Sequence, residues 1–294
     1  MLIKKLLVVA AFFGALVASS ANAAFLTNWY FNPAGTGFAG GTKITEYLDI
    51  NLSSLVNTTV PNMAGAFSFS EYGTFFSAGH DGLPGYVNPV TMTNFLGAGQ
   101  VTGVFSLSGT GVLSGAIAFA PGGTIDLWAS SATQPYGTAA GIYGADAGTN
   151  FADLVVLAGG GSIDATGVPN GQQTLIAAIT ALTAGYWFDS SGVDLSTIVP
   201  SLPPLLLGFT TVNASVTTTE IAAPFNSEMV SGLGASAYTG CLPGLVVGPC
   251  TGAGSFNLAA NGQQRLAVPE PGSVALLGLV AIAVAGFSRR RRVA

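Results

Sequence analysis

The stretch Ser77-Ala78-Gly79-His80-Asp81-Gly82 brings a hydroxyl, the chain's single imidazole and a carboxylate together. Nucleophilic catalysis by such a trio needs a fold that places a serine in front of the imidazole and a separate carboxylate behind it. Neighbours in a glycine-containing loop do not take those positions by themselves, and the stretch reads as a solvated turn. Asp146, Asp153, Asp164, Asp189 and Asp194 are scattered through polar turns. Glycosidic cleavage requires two carboxyl groups about 5 to 9 Å apart, a separation that no spacing here encodes. Calcium suits the aspartates better: Asp146, Asn150 and Asp153, or Asp189 with Asp194, put oxygen ligands on loops whose carbonyls could complete a shell. Neither set has EF-hand spacing or an Asp/Gly repeat, and capping of turns is the commoner service of such side chains. No phosphate-binding glycine loop is present. No catalytic residue and no metal ligand is assigned, and no cofactor is expected, with calcium as the open alternative. Trp29, Tyr30, Tyr47, Tyr136, Tyr143, Tyr186 and Trp187 could stack on sugar faces or equally fill a core.

The elements that would position these residues read as strands. From Lys43 to Leu52, Ile44, Leu48, Ile50 and Leu52 share one face with Glu46 as the only interruption, while Lys43, Thr45, Tyr47, Asp49 and Asn51 share the other. Val101 to Ser108 alternates through Phe105 and Leu107, and Leu113, Ile117 and Phe119 resume the pattern beyond Gly109 to Gly111, which predicts a hairpin turning at those glycines. Further strands are expected at Ala64 to Phe76, Gly123 to Ala129, Phe151 to Leu157, Leu205 to Thr218 and Gly254 to Ala259. Pro121-Gly122-Gly123, Gly159-Gly160-Gly161 and Asn261-Gly262 are turn signals. Asn261-Gly262 in particular predicts a two-residue hairpin between Ser255 to Ala260 and Gln263 to Val268, because that dipeptide accepts positive φ. Across Gln172 to Phe188 strands are favoured over a helix. With 7 % charged residues and 41 glycines, the chain would look disordered but for its Phe, Val, Ile and Leu content. That content predicts a folded all-β protein with Ser, Thr and Asn faces. No internal repeat is evident. The expected architecture is a single jelly-roll β-sandwich over residues 24 to 267.

Both ends carry addresses rather than cores. Lys4 and Lys5 precede an apolar run from Leu6 to Ala18, and Ala21-Asn22-Ala23 supplies small residues for signal-peptidase cleavage after Ala23, so residues 1 to 23 read as a secretory signal peptide. At the other end, Gly272 to Phe287 is an apolar helix candidate that would reach only about 24 Å at ~1.5 Å per residue. A bilayer core of about 30 Å asks for about 20 residues. Arg289, Arg290, Arg291 and Arg292 follow at once, which holds that end in the cytoplasm and sends the body outward. Pro269 and Pro271 bracket Glu270 and cannot lie inside a helix, so they form a stiff extended strut.

Removing both ends takes away six of the eight basic residues and leaves Lys43 and Arg265 against thirteen acids, a formal charge near −11, or −10 when Glu270 is removed as well. Such a body argues against nucleic acid and anionic lipid as partners and is compatible with cations and with neutral or mixed polysaccharide. Cys241 and Cys250, joined by a Pro- and Gly-rich span, are expected to form a disulfide in an oxidising compartment.

Pro269-Glu270-Pro271, the short apolar run and the terminal arginines resemble the PEP-CTERM sorting signal of Gram-negative bacteria that make exopolysaccharide. The resemblance covers residues 268 to 294. It implies that Pro269, Glu270 and Pro271 are the recognition motif of an exosortase, a membrane-embedded protease-transpeptidase, and that the apolar run and arginines retain the chain until processing. An ordinary C-terminal tail anchor is the alternative. Asn28-Trp29-Tyr30-Phe31-Asn32-Pro33 with Gly35, Gly37 and Gly40-Gly41, and Trp187-Phe188-Asp189-Ser190-Ser191-Gly192-Val193-Asp194-Leu195, resemble flocculation-associated members of that group. The implied protein is not an enzyme. It meets signal peptidase, exosortase and, transiently, the inner membrane during export, reaches the cell surface or the extracellular matrix, and joins exopolysaccharide to cells in flocs or biofilm. A calcium-dependent carbohydrate-binding module and a secreted matrix hydrolase are the competing expectations.

Overall fold

The structure, a computed structural model, describes residues 23–62, 64–81, 100–113, 115–130, 136–162, 173–199, 204–217, 221–222, 224–240 and 253–269. The chain divides into a unit Phe25–Ala267 and a second unit, Met1–Ala24 with Val268–Ala294. Of the second, only Ala23, Ala24, Val268 and Pro269 are described, as ends of strands. Residues 1 to 22 of the signal peptide, the Cys241–Cys250 pair, Asp164, and everything from Glu270 to the terminal arginines lie outside the described residues.

The strands are β1 (Ala23–Phe25), β2 (Trp29–Phe31), β3 (Thr42–Ile44), β4 (Tyr47–Thr58), β5 (Ala66–His80), β6 (Gln100–Val112), β7 (Ala116–Phe119), β8 (Thr124–Ser130), β9 (Thr149–Ser162), β10 (Gln173–Leu182), β11 (Trp187–Phe188), β12 (Leu206–Thr217) and β13 (Gly254–Pro269). One α-helix accompanies them among the described residues, α1 (Phe225–Leu233). The all-β expectation holds. The sandwich does not: β4, β5 and β6 lead to a position shared end to end by β7 and β8, then to β9, β10, β12 and β13, and β13 pairs again with β4. The result is a closed antiparallel barrel of eight positions. Closure is made by the register from Gly254 opposite Thr58 to Arg265 opposite Tyr47. Sandwich and barrel share the same in-and-out alternation along each strand, so only this distant pairing tells them apart.

The same pairing removes the hairpin expected at Asn261-Gly262. Both residues lie inside β13, which runs for 16 residues with β4 on one side and β12 on the other. A strand hydrogen-bonded on both edges has no reason to turn, and β13 continues to Pro269. Two other glycine signals are also interior to strands. Gly109 and Gly111 belong to β6, which turns only beyond Val112, and Gly159 to Gly161 belong to β9. The turn at Pro121-Gly122 and the strands at Gln173–Leu182 and Trp187–Phe188 agree with expectation. The single strand expected from Lys43 to Leu52 is broken at Thr45-Glu46 into β3 and β4.

The glycines inside the barrel wall have a packing role. On the inward face of β5 and β6, Gly111 lies opposite Phe67, Gly109 opposite Phe69, Phe105 opposite Gly73 and Gly103 opposite Phe75. Each ring lies over the glycine beside it. A Cβ at Gly109 would stand 2.6 Å from the Phe69 ring, and one at Gly111 would stand 2.6 Å from that of Phe67. Bulky residues alternating with none let the rings fill a barrel only just wide enough for side chains. Leu48, Ile50, Leu127, Leu154, Leu175, Leu207 and Phe256 complete the core.

A three-stranded sheet, in the order β11, β2, β3, packs against the barrel through Phe151 of β9. Its ring lies 5.5 Å from that of Phe31, 5.1 Å from that of Tyr186 and 5.1 Å from that of Trp187. On the outside of β4 and β5, α1 buries Phe225 and Met229, one helical turn apart, against Leu55, Tyr143 and Ala235. It stops at Gly234, whose φ of 76° is the left-handed conformation that ends helices. Asn226 and Asn257 exchange amide hydrogen bonds of 3.0 and 2.6 Å and pin the helix to β13.

Candidate functional site

His80 and Asp81 close β5, and there the aspartate has a structural task. Its carboxylate accepts the backbone N–H groups of Thr45 at 3.0 Å, Glu46 at 2.7 Å and Tyr47 at 3.4 Å. These amides lie at the break between β3 and β4, so Asp81 ties that corner to the end of the neighbouring strand. The stretch is therefore a bonded corner and not simply a solvated turn. His80 Nδ1 is 2.8 Å from the Asp81 backbone oxygen, and Ser77 points into the barrel. The Ser77 side chain is buried, while the Asp81 carboxylate is taken up by the amides of Thr45, Glu46 and Tyr47.

The loop aspartates are mostly occupied by backbone. Asp146 accepts Ile142 N–H at 2.8 Å, Asp189 accepts Ser191 and Val193, and Asp194 accepts Ser196 and Gly185. Asp153 differs: it stands on β9, receives the Asn150 amide at 3.0 Å and faces Asp126 of β8 directly across the register. Partial burial, and then the Asp153 charge, raise the Asp126 carboxyl above the ordinary carboxylate range. Asp146, placed in the Gly141–Asp146 turn, does not join the pair. No group of three or more His, Cys, Asp or Glu among the described residues is arranged to hold a metal.

Inside the barrel lies an acid that the sequence reading passed over. Glu71 is 6 % exposed, faces the lumen between Phe69 and Gly73, and takes a 2.7 Å hydrogen bond from Ser54 Oγ. Desolvation raises its carboxyl well above the ordinary range, and the Ser54 bond acts the other way. The signal was present, because Glu71 interrupts the alternation of Phe67, Phe69, Gly73 and Phe75 on one face. The lumen beside it encloses about 50 Å³, bounded by Ile50, Phe75, Leu175, Phe209 and Thr211. Ligand pockets usually need at least about 300 Å³.

Of the aromatics named as sugar platforms, Trp29, Tyr143, Tyr186 and Trp187 are core residues. Tyr136 packs on Phe76 at 4.8 Å and its hydroxyl meets Thr74 at 3.0 Å, and burial raises that phenol far above its usual range. Tyr47 lies 5.2 Å under the Arg265 guanidinium, which also reaches Glu46 at 3.7 Å. Tyr30 packs on Phe38 at 4.8 Å.

A larger hollow opens on the outside, at the end of the barrel where β4 passes into β5 and β6 turns into β7. This groove measures about 380 Å³. Thr59, Asn62, Ser68 and Thr110 give it hydroxyl and amide groups, and Ala66, Val112, Ala116 and Ala118, on the outward face of the wall, give it apolar surface. Asn62 Oδ1 holds the loop by accepting Ala64 and Ala66 N–H, and Thr59 Oγ1 accepts Ser68 N–H at 2.9 Å.

Residues 267–292 match the family described as the PEP-CTERM protein-sorting motif. None of the curated proteins compared matches the chain, and no solved structure does. The matched span contains Pro269, Glu270, Pro271 and Arg289 to Arg292, and it begins on the last residues of β13. The motif marks the chain as an exosortase substrate exported to the cell surface or extracellular space.

Proposed function

We propose that the exported body, residues 24 to 267, is a non-enzymatic matrix protein that associates with exopolysaccharide and supports flocculation or biofilm formation. Residues 1 to 23 serve as its signal peptide and residues 268 to 294 as its sorting signal. The sorting motif at residues 267–292 carries the reading, since it sends the body to the compartment where exopolysaccharide lies. The barrel's outer wall supports it. Ser68, Thr110, Thr174 and Thr180 are exposed there, and side chains of that kind exchange hydrogen bonds readily with sugar hydroxyls. The carboxylates support it too, because Asp81, Asp146, Asp189 and Asp194 all accept backbone amides in the folded protein.

The test has two arms. Host cells lacking the gene are compared with the parent for floc formation, and the protein recovered from culture medium is mixed with host exopolysaccharide with and without chelator. Loss of flocs together with chelator-independent binding is expected. Binding abolished by chelator would favour a calcium-dependent module, and release of reducing sugar would establish a hydrolase.

A further inference from the structure

Resting on the polysaccharide reading just proposed, we infer that the groove between the β4–β5 connection and the β6–β7 hairpin is the polysaccharide site, and that its occupant is an uncharged glycan segment. The first argument is charge. Thr59, Asn62, Ser68 and Thr110 line the groove with neutral polar groups, and among the described residues none that lines it is ionisable. An acidic polysaccharide would require cations. The exported body holds only Lys43 and Arg265, and Arg265 is already engaged by Glu46, Phe25 and Tyr47. A neutral chain incurs no repulsion from a body near −10 in charge.

Shape and polarity give the second argument. A sugar ring offers an apolar face of C–H groups and a rim of hydroxyls. The groove offers both, with Ala66, Val112, Ala116 and Ala118 as apolar surface and Thr59, Asn62, Ser68 and Thr110 as hydroxyl and amide groups. Its volume of about 380 Å³ falls inside the range of ligand pockets, roughly 300 to 1,000 Å³. The 50 Å³ lumen falls far below that range.

Position gives the third. Within the unit Phe25–Ala267, Leu26 N–H binds the Leu266 oxygen at 2.8 Å, so the chain enters and leaves this unit side by side. The groove lies at the opposite end, where Thr58 pairs with Gly254 at the start of β13. Eleven strand residues of about 3.3 Å each separate Gly254 from Arg265. The site therefore lies at the end of this unit opposite to the one where the chain enters and leaves it. From the groove the outer wall continues without charge, since Thr110 faces Ala118, Ala118 faces Gly160, Gly160 faces Thr174 and Thr174 faces Thr210 across successive strands.

Thr110 is exposed on β6, so Thr110→Trp fills the groove without entering the core; Ser190→Trp, in the exposed turn after β11, serves as control. Protein recovered from culture medium is titrated with host exopolysaccharide, with dextran as a neutral probe and with alginate as an acidic one. Circular dichroism and melting temperature confirm that each variant is folded. The expected result is retention by host exopolysaccharide and dextran but not alginate, at least tenfold weaker in Thr110→Trp and unchanged in Ser190→Trp. Equal binding by Thr110→Trp would overturn the groove while leaving the matrix reading intact, and binding to alginate alone would overturn the neutral ligand. A concentration-dependent dimer of the wild type that Thr110→Trp dissolves would assign the groove to a second copy instead. If the wild type binds none of the three polysaccharides, the matrix reading itself fails.

Discussion

Ser54 donates its hydroxyl to Glu71 at 2.7 Å inside the barrel, and an ionisable side chain thereby sits among phenylalanine rings. A carboxyl taken out of water resists ionisation. The folded protein therefore holds the Glu71 proton more tightly than the unfolded chain, where the group titrates near its ordinary value of 4.5. The unfolded chain loses the proton first as pH rises, so stability falls from pH 4.5 upward until the folded carboxyl ionises. Glu71→Gln keeps an oxygen for Ser54 and removes the titration. At pH 7 to 8 it should raise the melting temperature by about 2 to 4 °C, the shift that 1 kcal/mol produces in a domain of this size, and it should flatten the pH dependence. At pH 4 the two proteins should melt together. A melting-temperature series from pH 4 to 8 reads all three, and an unchanged slope in the variant would remove Glu71 as its source.

Gly103 lies under the Phe75 ring, so any larger residue there must displace it. Gly103→Val should lose about 1 to 3 kcal/mol, the usual effect of overpacking. The double variant Gly103→Val with Phe75→Leu should recover part of the loss if crowding is the cause. Urea unfolding of the four proteins measures the coupling, and strictly additive losses would contradict the ring-over-glycine pairing.

The amides of Thr45, Glu46 and Tyr47 depend on Asp81. Asp81→Ala should lose about 1.5 kcal/mol, the lower end for hydrogen bonds to a charged group. Hydrogen exchange should accelerate at those three amides in particular. Asp81→Asn, which keeps one acceptor oxygen, should fall between. Uniform acceleration across the barrel would show that Asp81 acts on global stability rather than on the corner.

Asp126 and Asp153 oppose each other with like charge, a destabilising cross-strand pair. Asp126→Asn should therefore stabilise the protein at pH 7 by about 0.2 to 1 kcal/mol. The gain should be the same with calcium or with chelator present. If calcium raises the melting temperature of the wild type and Asp126→Asn abolishes that rise, the pair is a cation site.

Processing by an exosortase should leave the released protein without Arg292, as read by intact-mass spectrometry. Deleting Pro269-Glu270-Pro271 should keep the uncut chain in the inner-membrane fraction. Released protein that still carries Arg292 would contradict processing at the motif.

The sequence alone determined what depends on neighbours along the chain. Alternation marked the strands, because successive side chains point to opposite faces and burial of one face leaves a period of two. The sorting motif was legible for a related reason: order and spacing along the chain carry its information. Tertiary structure decided the rest. Whether Phe67, Phe69 and Phe75 face another sheet or the far wall of a barrel depends on Thr58 meeting Gly254, nearly two hundred positions away, and no local pattern encodes that register. It decided that Gly109, Gly160 and Gly262 are wall rather than turn, since a glycine permits a turn and equally permits a ring to lie over it. It decided α1, whose Ser227, Ser231 and Gly232 give little intrinsic helicity, through the burial of Phe225 and Met229. It also gave Asp81, Asp153 and Glu71 their separate surroundings, because a carboxyl group's chemistry is set by what folds around it.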